Sequence, residues 1–155
     1  MPVRLATLAD LSGLVAIENE AFASDRLSRS SLRYYIQAHS AGLVVFARGG
    51  DLLGYCLVAF RKGSSKARLY SLAVGRAHRG LKLGAVLLRA AEKLARARGA
   101  QVLHLEVRSR NRRAIALYER HGYRRFDRID DYYEDGATAL CYEKPLRRRP
   151  EPALT

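Results

Sequence analysis

The chain has 155 residues, enough for one domain with a substantial core, and a composition 48% hydrophobic and 28% charged excludes an intrinsically disordered protein. No apolar run approaches the ~20 residues of a membrane span, and the opening "MPVRLATLAD" lacks the long apolar stretch of a signal peptide, so a cytoplasmic protein without membrane association is expected. The formal net charge of +13 suits an anionic partner: nucleic acid, an acidic protein or a phosphorylated cofactor.

In chain order, "PVRLAT" alternates weakly and reads as a first strand. "DLSGLVAIENEAF" follows as a helix, with Asp10 the candidate N-cap and Leu11, Leu14, Val15, Ile17 and Phe22 on its apolar face. "SDRLSRSSLRYYIQAHS" is a second helical stretch with serines available as caps. "GLVVFARGGDLLGYCLVAFRKG" is a hairpin turning at Gly49, Gly50 and Asp51, and "ARLYSLAV" is a fourth strand. "HRGLKLGAVLLRAAEKLARARG" opens as a basic, glycine-bearing loop. It becomes a helix with Leu87, Leu88, Ala91, Leu94 and Ala95 on one face and Gly99 as its stop. "VLHLEVR" is a strand, "NRRAIALYERHG" a short helix closed by Gly122, and "YRRFDRI" and "ATALCYEKPL" are final strands joined by the turn "DDYYEDG". This order, βααβββαβαββ, is a mixed α/β layout without repeat or linker. Residues 1–146 read as one domain, and 147–155, from the basic run at Arg147 to Arg149 through "PEPALT", as a flexible tail. Cys56 and Cys141 sit far apart in strand-like contexts and read as buried free thiols. No Cys/His cluster has metal spacing, and no metal is expected.

A strand leading through a glycine-bearing basic loop into a helix N-terminus is an anion site, because unpaired N–H groups and the helix dipole point at one place. Neither G-x-x-x-x-G-K-[ST] nor G-x-G-x-x-G is present. The loop instead carries Arg79-x-x-Lys82-x-Gly84, which resembles the [QR]-x-x-G-x-[GA] pyrophosphate loop of the Gcn5-related N-acetyltransferases, with Lys82 at the middle glycine. "LEVRSRNRRAIALYERHGY" is similar to a long segment of the same family, in the branch that acetylates protein N-termini, and "DYYEDG" resembles that branch's Tyr-Tyr-x-Asp-Gly turn. The first helices match least: "AFASDRLS" lacks the Pro-Trp often found there.

The resemblance implies an α/β GNAT fold, a mixed sheet splayed between the fourth and fifth strands and flanked by helices, with acetyl-CoA as cosubstrate. It implies that Leu72, Ala73 and Val74 pair with the pantetheine arm. Arg79, Gly80, Leu81, Lys82, Leu83, Gly84 and Ala85 would form the phosphate loop, and Asn111 would help hold the cofactor. Glu106 falls on the general-base position and Tyr118 on the acid position, while Tyr132 and Tyr133 border the peptide mouth. If the family's glycine requires positive φ, Lys82 carries backbone strain of ~1–3 kcal/mol.

The residues have readings of their own. Alternation places Leu103, Leu105 and Val107 on one sheet face and His104, Glu106 and Arg108 on the other. A carboxylate there needs a partner or a task; spacing alone offers Arg108 or Arg113 as a surface ion pair. Tyr118 with Leu117 also suits a plain core helix face. His39, His78 and His121 read as surface residues, with no Ser/His/Asp triad, while His104 shares the face of Glu106. Asp130, Asp131, Glu134 and Asp135 give the turn local negative charge suited to a cationic amine. Thr138 stands where the branch commonly has an aspartate. The expected function is acetyl transfer from acetyl-CoA to a primary amine, most readily a protein N-terminal α-amine. A small-molecule amine or internal lysine is the alternative acceptor, and a basic binding module with impaired catalysis is the alternative of another class. Nucleic acid is not required, and a homodimer is left open.

Overall fold

The computed structural model describes residues 2–80 and 82–147. The expected tail lies outside them from position 148 onward. Strand β1 (Val3–Leu5) leads through a short 3-10 turn, Leu8–Asp10, into helix α1 (Leu11–Ala21). Asp10 does not cap α1. Its carboxylate turns back to accept the Thr7 N–H at 2.8 Å and both guanidinium nitrogens of Arg4, at 2.8 and 3.0 Å, and so closes the preceding turn.

Helix α2 (Arg29–Gln37) is shorter than the periodicity suggests. Ser28 has extended φ/ψ and its side chain accepts the Ser31 N–H, so residues 24–28 stay outside the helix. The hairpin of β2 (Ala41–Arg48) and β3 (Asp51–Phe60) turns on Gly49 and Gly50, both at positive φ (60° and 88°), the requirement of a two-residue turn that follows strand twist. Strand β4 (Lys66–Val74) runs through a 3-10 turn, Arg76–His78, to helix α3 (Leu83–Ala97). Then come β5 (Val102–Arg108), α4 (Arg112–Arg120), β6 (Arg124–Ile129) and β7 (Ala139–Pro145).

The seven strands form one sheet in the order β1-β2-β3-β4-β5-β7-β6, antiparallel except for β4 and β5. The parallel pair is in register only over Lys66–Arg68 and Val102–His104. Beyond Arg68, β4 continues paired with β3 as far as Val74↔Gly54, while β5 follows β7 as far as Arg108↔Ala139. The sheet therefore opens into a V between its fourth and fifth strands.

Each face carries its own core. Leu83, Leu87, Leu88, Ala91 and Ala95 of α3 pack with Leu69, Leu103, Leu105 and Tyr118 on one side. Leu11, Leu14 and Ile17 of α1 and Leu32 of α2 pack with Val45, Tyr55 and Leu57 on the other. Fully burying each Leu or Ile side chain contributes ~1.5–3 kcal/mol. Cys56 and Cys141 are buried free thiols, and burial pushes the Cys56 thiol up to about 12, so it is no thiolate nucleophile at neutral pH. Among the described residues no helix is long and apolar enough to cross a membrane.

Candidate active site

A cleft of about 920 Å³ opens where β4 ends and α3 begins. One wall is the β5-facing edge of β4 at Leu72, Ala73 and Val74, which the splay leaves without a strand partner. The floor is the loop. Gly80 has φ 87° with nothing within 4 Å of the place a Cβ would take, and Lys82 sits at φ 62°, ψ 19°, in the left-handed region, as the N-cap of α3. The expected positive φ is thus present at a lysine. A Cβ on Gly84 would lie 3.2 Å from Leu117 Cδ2, so the start of α3 has room for little more than glycine against α4.

Arg79, Leu83, Gly84, Ala85 and Asn111 complete the set of predicted cofactor residues brought to this cleft; Leu81 lies outside the described residues. Asn111 has a structural task besides: its Oδ1 accepts the Ala114 N–H at 3.2 Å and caps α4. Reading the sequence missed the rest of the wall. Arg89, Arg113 and Arg120 add three cations to Arg79 and Lys82, and no carboxylate lines the cleft among the described residues. Phe22 supplies an apolar side. His78 and His121, expected as separate surface residues, are half-buried and line this one cleft, because the loop before α3 and the end of α4 converge. The donor set fits a phosphorylated ligand with an apolar arm: N–H groups at a helix start, five cations and a strand edge.

Glu106 lies on the other face, two residues past the last β4–β5 pair and so inside the V. Its side chain is 16% exposed. It pairs with neither Arg108 nor Arg113. Arg113 turns to the cleft, and Glu106 Oε2 accepts instead from Arg68 Nε at 3.2 Å, a partner supplied by the parallel register. Arg68 Nη2 also donates to the Tyr132 hydroxyl at 3.0 Å, and its Cζ lies 4.7 Å over the Tyr70 ring.

Arg108 staples the mouth. It donates to both Asp135 oxygens (3.0 and 2.8 Å), to Ser24 Oγ (2.9 Å) and to Asp25 Oδ2 (2.9 Å), and it stacks over the Tyr133 ring at 4.2 Å. Asp25, at φ 53°, also accepts the Glu134 N–H at 3.3 Å. The turn and the segment after α1 are thereby tied together. Asp130 is engaged by Arg128 and Thr138 at 2.9 and 3.1 Å. Two of the four acids counted as local negative charge, Asp130 and Asp135, are thus matched by arginines. Tyr132 and Tyr133 meet edge to face at 5.0 Å.

Tyr118 is buried in the core beside α3, T-shaped against Tyr123 at 5.8 Å, and does not line the 920 Å³ cleft. Burial, with Tyr133 nearby, pushes its phenol above its ordinary value, so it holds its proton at neutral pH. Buried Glu18 accepts from the Tyr55 hydroxyl and, at 2.7 Å, from the Leu27 N–H, and Tyr55 meets Ser71 at 2.8 Å. This network fixes α1, β3, β4 and the loop before α2 to one another.

The family model of the GNAT acetyltransferases matches residues 11–123. The chain belongs to the GNAT acetyltransferase family. As a GNAT protein it is an N-acetyltransferase dependent on acetyl-CoA, with the splayed mixed sheet of that fold. It is 31% identical over 139 residues to a Bacillus subtilis protein provisionally named as an alanine N-acetyltransferase of ribosomal protein bS18, covering 89% of this chain and 91% of the relative. It is 30% identical over 149 residues to the catalytic subunit of the N-terminal acetyltransferase A complex of Arabidopsis thaliana, covering 94% and 78%. The crystal structure of the Escherichia coli ribosomal-protein-S18-alanine N-acetyltransferase superposes with a TM-score of 0.83 at 25% identity, covering 99% and 98%.

Proposed function

We propose that this GNAT enzyme acetylates the α-amine of a protein or peptide N-terminus, with Glu106 as base and Tyr118 as acid. The observation that carries the reading is Glu106 itself: a carboxylate inside the V, on the face opposite the cationic cleft, beneath the tyrosines of the turn. The relatives named for N-terminal acetylation point the same way. Bound in the cleft by the phosphate loop, with Leu72, Ala73 and Val74 along its arm, acetyl-CoA supplies an acetyl group activated as a thioester.

The chain's own residues then handle protons. An α-amine titrates near ~8 and a lysine near ~10.4, so a single carboxylate delivers the neutral α-amine with less work. Nitrogen bonds to the acetyl carbon as the carbon–sulfur bond breaks. Glu106 takes the proton the nitrogen loses, directly or through water, and the protonated Tyr118 phenol supplies the one the sulfur needs. Tyr132, whose hydroxyl accepts from Arg68 beside Glu106, and Tyr133, which packs edge to face against it, offer ring faces that grip a peptide backbone. The arginine staple keeps the mouth narrow, which favours a flexible chain end.

The test compares peptides with a free N-terminus against the same peptides N-terminally blocked and carrying one lysine, with spermidine and aminoglycosides alongside. Free N-termini should turn over fastest. Faster turnover of blocked lysine peptides or polyamines overturns the N-terminal assignment and leaves the acetyltransferase in place.

A further inference from the structure

Arg68 has no counterpart among the roles assigned above, yet it hydrogen-bonds and ion-pairs with the base. It leaves β4 at the last position paired with β5, opposite His104 in register, and its side chain is 34% exposed. Two contacts and a ring fix its plane. The Nε and Nη2 edge is spent on Glu106 Oε2 at 3.2 Å and the Tyr132 hydroxyl at 3.0 Å, and the guanidinium lies against Tyr70. The other edge of the fork, between Nη1 and Nη2, has no acceptor among the described residues. The rings around it, Tyr35, Tyr70 and Tyr132, carry hydroxyls, and burial holds the phenols of Tyr35 and Tyr132 above their ordinary range, so both keep their protons. Glu106 is committed to Arg68, and at the mouth Asp25 and Asp135 are committed to Arg108.

We infer that Arg68 is a specificity determinant that selects acceptors whose first residue is acidic. The inference rests on the N-terminal reading above. Its physical basis is an exchange of partners. An incoming α-ammonium competes with Arg68 for Glu106. Once Glu106 has accepted the proton, a half-buried guanidinium has lost its counter-charge, an unfavourable state for a desolvated ion. An aspartate or glutamate at the first position carries a carboxylate a few bonds from the reacting nitrogen. That carboxylate reaches the open Nη1/Nη2 edge and binds it in the planar, two-point manner for which arginine is suited. The Tyr132 hydroxyl is placed to donate to the same group. A lysine or arginine at the first position would instead meet Arg68 as a like charge.

The experiment measures kcat/KM for one peptide sequence with Asp, Asn, Glu, Gln, Ala or Lys at its first position, on wild type, Arg68→Gln and Arg68→Lys. In wild type, Asp over Asn and Glu over Gln should each be preferred on the order of tenfold or more, as a charge-assisted hydrogen-bonded pair gives. The preference should sit mainly in KM and should weaken with added salt. Arg68→Gln should bring both ratios near unity, and Arg68→Lys, which keeps the charge and loses the fork, should leave an intermediate ratio. The wild-type ratios stand without any variant, so a misfolded Arg68→Gln does not rescue the idea. Equal or inverted ratios on peptides that wild type does acetylate overturn the Arg68 inference and leave N-terminal acetylation standing. Ratios unchanged in a folded Arg68→Gln also overturn it. Acetylation of lysine or polyamines with none of any free N-terminus overturns both.

Discussion

On one face of the V, the cleft joins main-chain features (a strand edge at Leu72 to Val74, positive φ at Gly80 and Lys82, a glycine packed against Leu117) to five cations, Arg79, Lys82, Arg89, Arg113 and Arg120. On the other face, the mouth is built from five charged side chains drawn from four separate segments: Asp25, Arg68, Glu106, Arg108 and Asp135. The first construction binds a ligand by main-chain groups and a set of cations that no carboxylate in the cleft opposes among the described residues. The second holds its shape by ion pairs that a substrate must enter and rearrange. Substitutions on the cofactor face should therefore act on binding and on the fold, and those on the amine face on turnover and acceptor choice.

Glu106→Gln should break the comparison most sharply. The carboxamide keeps the size of the side chain and removes its basicity. The expected result is a kcat lower by ~10²–10⁴-fold, the usual span of general acid–base catalysis, with acetyl-CoA affinity measured by calorimetry little changed. The deficit should shrink at high pH, where more of the amine is already neutral. Equal activity across the pH range would remove Glu106 from the mechanism, and a large loss of acetyl-CoA affinity would show that the two faces are not separable.

The same contrast explains how far the sequence could be read. The strand, loop and helix start of the cofactor face are local, within Leu72 to Ala85, so spacing and the resemblance bring those residues forward together, whereas Phe22, Arg89, Arg113 and Arg120 lie outside that stretch. The seven strands and four helices were legible for the same reason, since alternation, helical spacing and glycine stops are short-range signals. Arg68 was not legible. Its meeting with Glu106 depends on the parallel register of two strands joined by a helix, and "KARLYSLAV" does not state which residue of "VLHLEVR" it faces. Arg108 is offered by spacing alone as an ion-pair partner of Glu106, because residues two apart on a strand share a face. Its actual partners arrive from loops 27 and 83 positions away. Asp10 failed as a cap of α1 because Arg4 and the Thr7 N–H compete for the same carboxylate. Glu92, in the middle of α3, has no reading from the sequence. It is buried because Lys144 (3.1 Å) and the Tyr123 hydroxyl (2.8 Å) satisfy it.

A smaller effect separates strain from charge on the cofactor face. Lys82 is in the left-handed region, which imposes on a non-glycine residue a strain on the order of 1–2 kcal/mol wherever the loop keeps this conformation. Lys82→Gly relieves it equally in free and bound states, less the greater freedom glycine gains in the unfolded chain, ~0.4–1 kcal/mol. The melting temperature should rise modestly. Acetyl-CoA affinity should fall, because the one difference felt by the ligand is a lost cation, and the fall should fade at high salt. A gain in affinity would mean that the bound loop needs a conformation more strained than the one seen.

The smallest effect belongs to the amine face and is read by acid rather than by activity. His104 is half-buried beside Glu106, Arg68, Lys66 and Glu143, and burial, with smaller pushes from the two cations, holds it below its ordinary 6.5 against the pull of the two carboxylates. The unfolded chain therefore takes up this proton first as pH falls. Stability is full above about 6.5 and declines as pH drops through and below that value, until the folded imidazole also protonates. Asp10 works in a separate window. Its carboxylate, held below the ordinary 3.8 chiefly by the hydrogen bonds from Arg4, contributes stability that is lost only as pH falls through its lowered value. Melting temperatures between pH 7.5 and 5 should thus show a decline that His104→Gln flattens and Asp10→Asn leaves in place. A slope unchanged in His104→Gln would assign the decline to other groups and leave the neutral imidazole beside the Arg68–Glu106 pair without a measurable role.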